Sequence, residues 1–202
     1  MDLKSTYNRI AEDWHKDHVA DSWWIEATDK FISILKPGDL VLDVGCGAGT
    51  KAHYLTQNGL KVIGVDFSEK MIDIARREVP GVKFQVMDMY DLSQLEKKFN
   101  GIFVQAALLH VPKTEVLKVL AGFTELLKPG GYLYVGVKEP WPGQKEEGIL
   151  KENDYGYDYE RFFSYFTLEE IKRYFTNLGM TVIYENVTIV GKTKWAQAIG
   201  RL

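Results

Sequence analysis

Residues 41–50 read VLDVGCGAGT. An apolar run carries one acidic residue, Asp43, and then closes on three glycines spaced two apart, Gly45, Gly47 and Gly49. Val and Leu without clear alternation over 39–44 predict a buried strand of a parallel sheet. Glycines directly after such a strand predict a tight turn whose backbone approaches a ligand closely, at the start of the next helix. Which ligand suits this turn decides the class of protein.

A nucleotide P-loop, G-x-x-x-x-G-K-[ST], fails at two obligatory positions when counted from Gly45, because Thr50 replaces the second glycine and Ala52 the hydroxyl after Lys51. The dinucleotide fingerprint G-x-G-x-x-G accepts Gly45 and Gly47 but also meets Thr50 at its third glycine. Electrostatics argues further against phosphate. A pyrophosphate needs helix-terminal N–H groups and no anion beside it, whereas Asp43 puts a carboxylate there. An ammonium or sulfonium would be attracted to the same carboxylate. Asp66 ends the next strand, where a carboxylate can accept hydrogen bonds from both ribose hydroxyls. The ligand these residues describe is a nucleoside with a cationic tail and no phosphate, which S-adenosylmethionine satisfies.

Outward from this turn, β-rich runs and helical patterns alternate. Helices are expected at 51–58, at 69–79 behind an N-cap at Ser68, and at 113–127 before KPGG. Strands are expected at 61–66, 82–88, 101–107 and 132–139. Thr167 and Glu170 form a capping box for a helix over 168–179, and runs at 180–190 and 194–202 predict a hairpin on one edge of the sheet. The expected fold is α/β: a doubly wound, mostly parallel seven-stranded sheet with an antiparallel C-terminal hairpin strand. Residues 1–36 predict an N-terminal helical cap, with Trp23, Ala27, Phe31, Ile34 and Leu35 on one apolar stripe. Residues 37–202 form the main domain, with 140–166 an aromatic lid or insertion.

The ordered motifs over Leu40–Glu139 resemble those of the class I S-adenosylmethionine-dependent methyltransferases, especially small soluble members related to the ubiquinone-biosynthesis methyltransferases. VLDVGCGAG (41–49) looks like their first motif, VIGVDFSEKMI (62–72) the second, VKFQVMDM (82–89) the third and FNGIFVQAALLHV (99–111) the fourth. LLKPGGYLYV (126–135) resembles the helix, turn and strand that follow. The resemblance implies a Rossmann-like fold and S-adenosyl-L-methionine as cofactor, with S-adenosyl-L-homocysteine as product. It implies cofactor contacts from Asp43, Gly45, Cys46, Gly47 and Gly49, then Asp66 on the ribose with Phe67 and Met71 near the adenine. Asp88 and Met89 would meet the adenine, and Gln105, Ala106 and Leu108 would lie along the ligand. Asn100 departs from the pattern, since many relatives carry Asp before the fourth strand.

The composition fits a cytoplasmic protein of 202 residues: 46% hydrophobic, 26% charged, net charge −3. An isoelectric point near 5.9 gives no basic field to attract nucleic acid. One cysteine excludes an intrachain disulfide, and no apolar run approaches the roughly 20 residues of a membrane helix. Nothing in the cysteine and histidine spacing supports a metal site, His15 and His18 lacking a third ligand.

His110 follows the fourth strand, where it can act as general base toward an acceptor hydroxyl. The run YGYDYERFFSYF (155–166) alternates aromatics with Arg161 at strand period, so Tyr159 and Phe163 can flank a substrate and Arg161 can meet an acidic group. Tyr7 and Trp14 are candidates for closing the site. No Asn/Asp-Pro-Pro-aromatic motif or Pro-Cys pair follows the fourth strand, which argues against DNA and RNA bases as acceptors. The expected function is methyl transfer to O, N or C of a small molecule by in-line displacement, in a monomer or homodimer. A non-catalytic S-adenosylmethionine-binding regulatory subunit or sensor is the alternative, and an NAD-type oxidoreductase ranks behind both.

Overall fold

The computed structural model describes residues 2–202. Its centre is a seven-stranded sheet in the order β3-β2-β1-β4-β5-β9-β8. The strands are β1 (Leu40–Val44), β2 (Lys61–Asp66), β3 (Lys83–Val86), β4 (Phe99–Gln105), β5 (Leu127–Glu139), β8 (Thr181–Val190) and β9 (Thr193–Arg201). The first five run parallel, and β9 joins β5 antiparallel with β8 on the outer edge. The doubly wound sheet with its antiparallel hairpin is therefore present as expected.

Alternation along the strands divides the core into two layers. Leu42, Ile102, Val104, Leu133 and Val135 face α5 (Val116–Leu126) and α6 (Leu168–Asn177). Val41, Phe103 and Tyr134 face α2 (Ile25–Ser33), α3 (Thr50–Gln57) and α4 (Glu69–Glu78). Helix boundaries follow local chemistry. The Ser68 hydroxyl accepts the Met71 N–H at 3.1 Å at the start of α4, and Thr167 with Glu170 closes the capping box of α6.

Residues 2–36 hold two helices, and the expected stripe lies on the second and its flanks: Ala27, Phe31, Ile34 and Leu35 pack in one layer of the core, while Trp23 packs against the other. Ala27 and Phe31 of α2 are buried against the sheet, the Phe31 ring lying 5.5 Å from Phe103 and 6.0 Å from Tyr134. In contrast, α1 (Leu3–His18) lies against α4, where Asn8 accepts the Ser68 hydroxyl at 2.7 Å and donates to Glu69 at 2.8 Å. The aromatic run also differs from a single long strand. Only Tyr159–Ser164 is extended, as β7, and it pairs with β6 (Glu147–Glu152) in a separate two-stranded sheet. Tyr155 and Tyr157 fall in the connecting turn, and the Tyr155 ring stacks on Tyr159 at 5.5 Å. Charged Glu147, Lys151 and Glu152 conceal β6, because its exposed positions lack the apolar alternation that marks a half-buried strand.

The packing of α2 depends on Gly101, where a Cβ would lie 2.6 Å from the Phe31 ring. Phe31→Ala should destabilise the protein by about 3–5 kcal/mol and Gly101→Ala by about 1–3 kcal/mol. Together they should cost clearly less than the sum, because removing the ring removes the clash. Chemical denaturation of all four proteins checks this; additive effects would contradict the contact.

Candidate active site

The glycine turn is built by backbone geometry. Gly45, Gly47 and Gly49 have φ of 68°, 51° and 84°, the left-handed region that a side chain disfavours. Gly45 and Cys46 N–H groups both donate to the Val65 carbonyl, at 2.8 and 3.0 Å, which ties the turn to β2. Asp66 completes it from the side: its Oδ2 accepts the Gly47 N–H at 3.0 Å and its Oδ1 the Ser68 N–H at 2.9 Å.

A cavity of about 390 Å³ opens at this turn, beyond the C-terminal ends of the parallel strands, as expected for an open α/β sheet. One end is lined by Asp43, Gly45, Cys46, Gly47, Asp66, Phe67, Met71 and Met89. The other is lined by Tyr7, His110, Lys138, Arg161, Phe163 and Trp195. Trp14, Gln105 and Ala106 also reach it. Four expected residues do not. Gly49 starts α3, where a Cβ would sit 3.0 Å from the Phe84 ring; Leu108 is in the core; Asp88 accepts the Tyr90 N–H at 3.1 Å and caps a short 3-10 turn. Tyr159 lies behind the wall, its hydroxyl donating to Asp154 at 3.0 Å.

Two buried polar atoms in the cavity wall, Asp43 Oδ2 and Gln105 Nε2, lack partners among the described residues. Such atoms are rare in folded proteins, and each is costly without a ligand or water. Burial pushes the Asp43 carboxyl up to about 7 against the attraction of Lys51. Burial likewise raises Asp66 to about 6, opposed by the Ser68 and Gly47 N–H groups. The Gln105 amide is oriented by the Tyr134 hydroxyl, which donates to its Oε1 and accepts from Gln197 Nε2 at 3.1 Å. Ala106, next along, holds φ of 58°, an uncommon strained conformation at the cavity wall. Burial pushes the Cys46 thiol well above its ordinary range, which removes it as a nucleophile.

At the opposite end the side chains are wired together. His110 Nδ1 lies 2.7 Å from the Phe162 carbonyl and must donate to it, so Nε2 carries the lone pair. That lone pair accepts from the Tyr7 hydroxyl at 2.7 Å, and the Tyr7 oxygen accepts from Arg161 Nη1 at 3.3 Å. Arg161 is held by Glu152, Nε to Oε2 at 2.6 Å and Nη2 to Oε1 at 2.5 Å. Burial, reinforced by the nearby cations Arg161 and Lys138, pushes His110 down to about 3, so the imidazole is neutral. His110 is therefore engaged through Tyr7 rather than open to an acceptor, and Arg161 has its charge matched by Glu152. Lys138, Glu152 and Trp195 are absent from the residues expected from sequence. Lys138 had a signal, as a lysine near the end of the otherwise apolar run YLYVGVKE.

A family model described as a methyltransferase domain matches residues 41–131, the glycine turn through the end of the KPGG turn. The match supports a class I S-adenosylmethionine-dependent methyltransferase domain over this stretch. Among similar methyltransferases is the phosphoethanolamine N-methyltransferase of Triticum aestivum, 32% identical over 151 residues that cover 70% of this chain and 29% of that protein. The ubiquinone biosynthesis O-methyltransferase of Coxiella burnetii is 31% identical over 134 residues, 57% of this chain and 56% of that protein. The chain thus spans little more than half, or less, of the length of these relatives. In fold, this methyltransferase domain resembles the 1,6-didemethyltoxoflavin-N1-methyltransferase of Burkholderia thailandensis, solved with its acceptor and S-adenosylhomocysteine, at a TM-score of 0.78 and 20% identity over 98% of this chain and 86% of that one. The magnesium protoporphyrin IX methyltransferase of Synechocystis, solved with S-adenosylmethionine, aligns at a TM-score of 0.74 and 20% identity over 98% of this chain and 94% of that one.

The raised carboxyl of Asp43 has a consequence for stability. Its native state binds a proton more tightly than an unfolded Asp near 3.8, so stability falls as pH rises toward about 7 and then levels. Asp43→Asn should therefore gain on the wild type between pH 5 and pH 8, with a slope of up to about 1.4 kcal/mol per pH unit that flattens above neutrality. Urea titrations at a series of pH values measure the difference; a difference independent of pH would contradict the buried, weakly compensated carboxyl.

Proposed function

We infer that this chain transfers a methyl group from S-adenosylmethionine to oxygen, nitrogen or carbon of a small molecule. The observation that carries the reading is the unpaired, buried Oδ2 of Asp43 beside the glycine turn, an acceptor for a cationic ligand. Asp66 would hold the ribose hydroxyls, Phe67, Met71 and Met89 the adenine, and Asp43 with Gln105 Nε2 the ammonium and carboxylate of the amino-acid tail. When bound, the cofactor supplies an activated methyl on sulfur. The chain's own work is to seat the acceptor in line, keep out water and take any proton that the acceptor releases.

The cover falls to α1 and the β6–β7 hairpin, the N-terminal cap and the aromatic insertion. Arg9 donates to the Asp158 carbonyl at 3.1 Å, and the Tyr157 hydroxyl donates to Asp13 at 2.9 Å, which latches one to the other. A proton from an acceptor O–H would pass to the Tyr7 oxygen as the Tyr7 proton moves to His110 Nε2, a weak base here that gains its charge only as the sulfonium loses its own, with Phe162 and Arg161 fixing the pair. An amine that arrives neutral needs no such step. The names of the relatives include both N- and O-methyltransferases, so the family leaves the acceptor atom open. The acidic balance and the single buried cysteine support a cytoplasmic enzyme, monomer or homodimer, acting on a small molecule rather than nucleic acid. Among the described residues no helix is long and apolar enough to cross a membrane.

Turnover tests the function. S-adenosylhomocysteine formation should be detected with at least one member of a panel of phenols, amines and carboxylic acids. With an O–H acceptor, Tyr7→Phe should lower kcat by about 10²–10⁴-fold and leave cofactor affinity unchanged. Tight cofactor binding with no turnover across the panel would favour the non-catalytic sensor, and an unchanged kcat in Tyr7→Phe would remove the proton path.

A further inference from the structure

The two cations at the covered end of the cavity differ in how they are matched. Both approach one ring: the Arg161 guanidinium carbon lies 5.0 Å from the Phe163 centroid and Lys138 Nζ lies 4.4 Å from it. Arg161 has a bidentate carboxylate in Glu152 and uses its remaining inward N–H on Tyr7. The Lys138 ammonium has neither a salt bridge nor a hydrogen bond among the described residues; Glu152 acts on it only at a distance. Its other near neighbour is Trp195, its partner across β5 and β9, with Nζ 5.8 Å from that ring. The Trp195 ring is in turn stacked on Trp23 at 4.1 Å. With His110 neutral and Arg161 matched by Glu152, Lys138 is the unmatched cation beside Phe163 and Trp195.

Lys138 is half-buried, and a cation partly withdrawn from water without a counter-ion is costly, which the ring contacts offset only in part. Burial and the Arg161 charge accordingly pull the Lys138 ammonium down to about 8. A lysine used only for packing would reach solvent with its head group, whereas this one projects into the cavity. The geometry points to Lys138 as an anion-binding residue: the methyl acceptor carries a carboxylate or phosphate that pairs with Lys138 between Phe163 and Trp195. This rests on the methyltransferase reading and narrows it to acidic small molecules. The same site presents two flat rings beside the cation, so the acidic group would be attached to an apolar or aromatic body. Lys138 would be a specificity residue, distinct from the Tyr7–His110 pair.

The test uses the folded protein saturated with S-adenosylhomocysteine, at fixed ionic strength. Benzoate, phenyl phosphate and the neutral benzyl alcohol are titrated calorimetrically into wild type, Lys138→Gln and Lys138→Arg. At least one anion should bind wild type in preference to benzyl alcohol, and which one separates a carboxylate from a phosphate site. Lys138→Gln should weaken that anion by about tenfold or more, and Lys138→Arg should keep most of the affinity. The melting temperature of Lys138→Gln should equal or exceed that of wild type, since an unmatched charge has been removed; a structural lysine would lower it. Equal binding of anion and alcohol, equal anion binding by wild type and Lys138→Gln, or no anion bound at all would each overturn the proposal. Failure of S-adenosylhomocysteine to bind would count against the methyltransferase reading instead, and the same titrations on the ligand-free protein would still decide the role of Lys138.

Discussion

The carboxylate of Asp43, buried with one oxygen unpartnered, sets the terms for the rest of the cavity. A fold keeps such a group only where the sheet forces it and a ligand repays the desolvation. Here the force is topological. β1 lies at the middle of the parallel strands, between β2 and β4, so its C-terminal end opens where crossovers leave to either side. Gly45 and Gly47 in the turn that follows place no side chain over the carboxylate, and Asp66 on the neighbouring strand braces the turn through the Gly47 N–H. Charge and backbone together exclude a pyrophosphate and favour a cation.

The cavity that grows from this point is dipolar. Asp43 and Asp66 bring the negative charge at the glycine turn, with Lys51 acting on Asp43, and Lys138 brings an unmatched positive charge beside Phe163 and Trp195. Between them, Gln105 is oriented from behind by Tyr134 and Gln197, and Gly136 leaves it room: a Cβ there would fall 2.7 Å from the Gln105 Cδ. The cover is equally specific. Tyr7 on α1, His110 after β4 and Arg161 on β7 meet only because α1 crosses to the hairpin, and their hydrogen bonds join three segments far apart in the chain. A helix and a hairpin joined by a few hydrogen bonds, outside the main sheet, can open at less cost than a core strand, which suits a site that admits a small molecule.

Much of this was legible in the residues. The β–α alternation, the glycine turn, the Ser68 cap, the Thr167–Glu170 box and the C-terminal hairpin are local signals, and each is present. The glycine-turn end was readable because the residues expected there, Asp43, Gly45, Gly47 and Asp66, sit at strand ends or in the turn that follows, and they line the cavity. The covered end was not. Glu152 lies on a charged strand that carries no period, and its pairing with Arg161 is a tertiary fact. His110 looked like a free base in sequence because nothing local reveals the Tyr7 hydroxyl that occupies its lone pair. Gly49, Asp88 and Leu108 sit within the motifs yet face packing or turn contacts, since a strand-end motif alternates between the ligand side and the core. Lys138 was visible as an anomaly and became meaningful only with its surroundings.

The most direct measurement is thermal unfolding of the purified, ligand-free protein with S-adenosylhomocysteine, NAD⁺ or ATP. At 100 times its Kd, a bound ligand adds about 2.7 kcal/mol of stability, which raises the midpoint of a domain of this size by roughly 5–11 °C. A rise of that order with S-adenosylhomocysteine, and none with NAD⁺ or ATP, is the result expected from a cavity that opposes phosphate and welcomes a nucleoside with a cationic tail. An unmoved midpoint at millimolar S-adenosylhomocysteine, or an equal rise with the phosphate-bearing nucleotides, would contradict it.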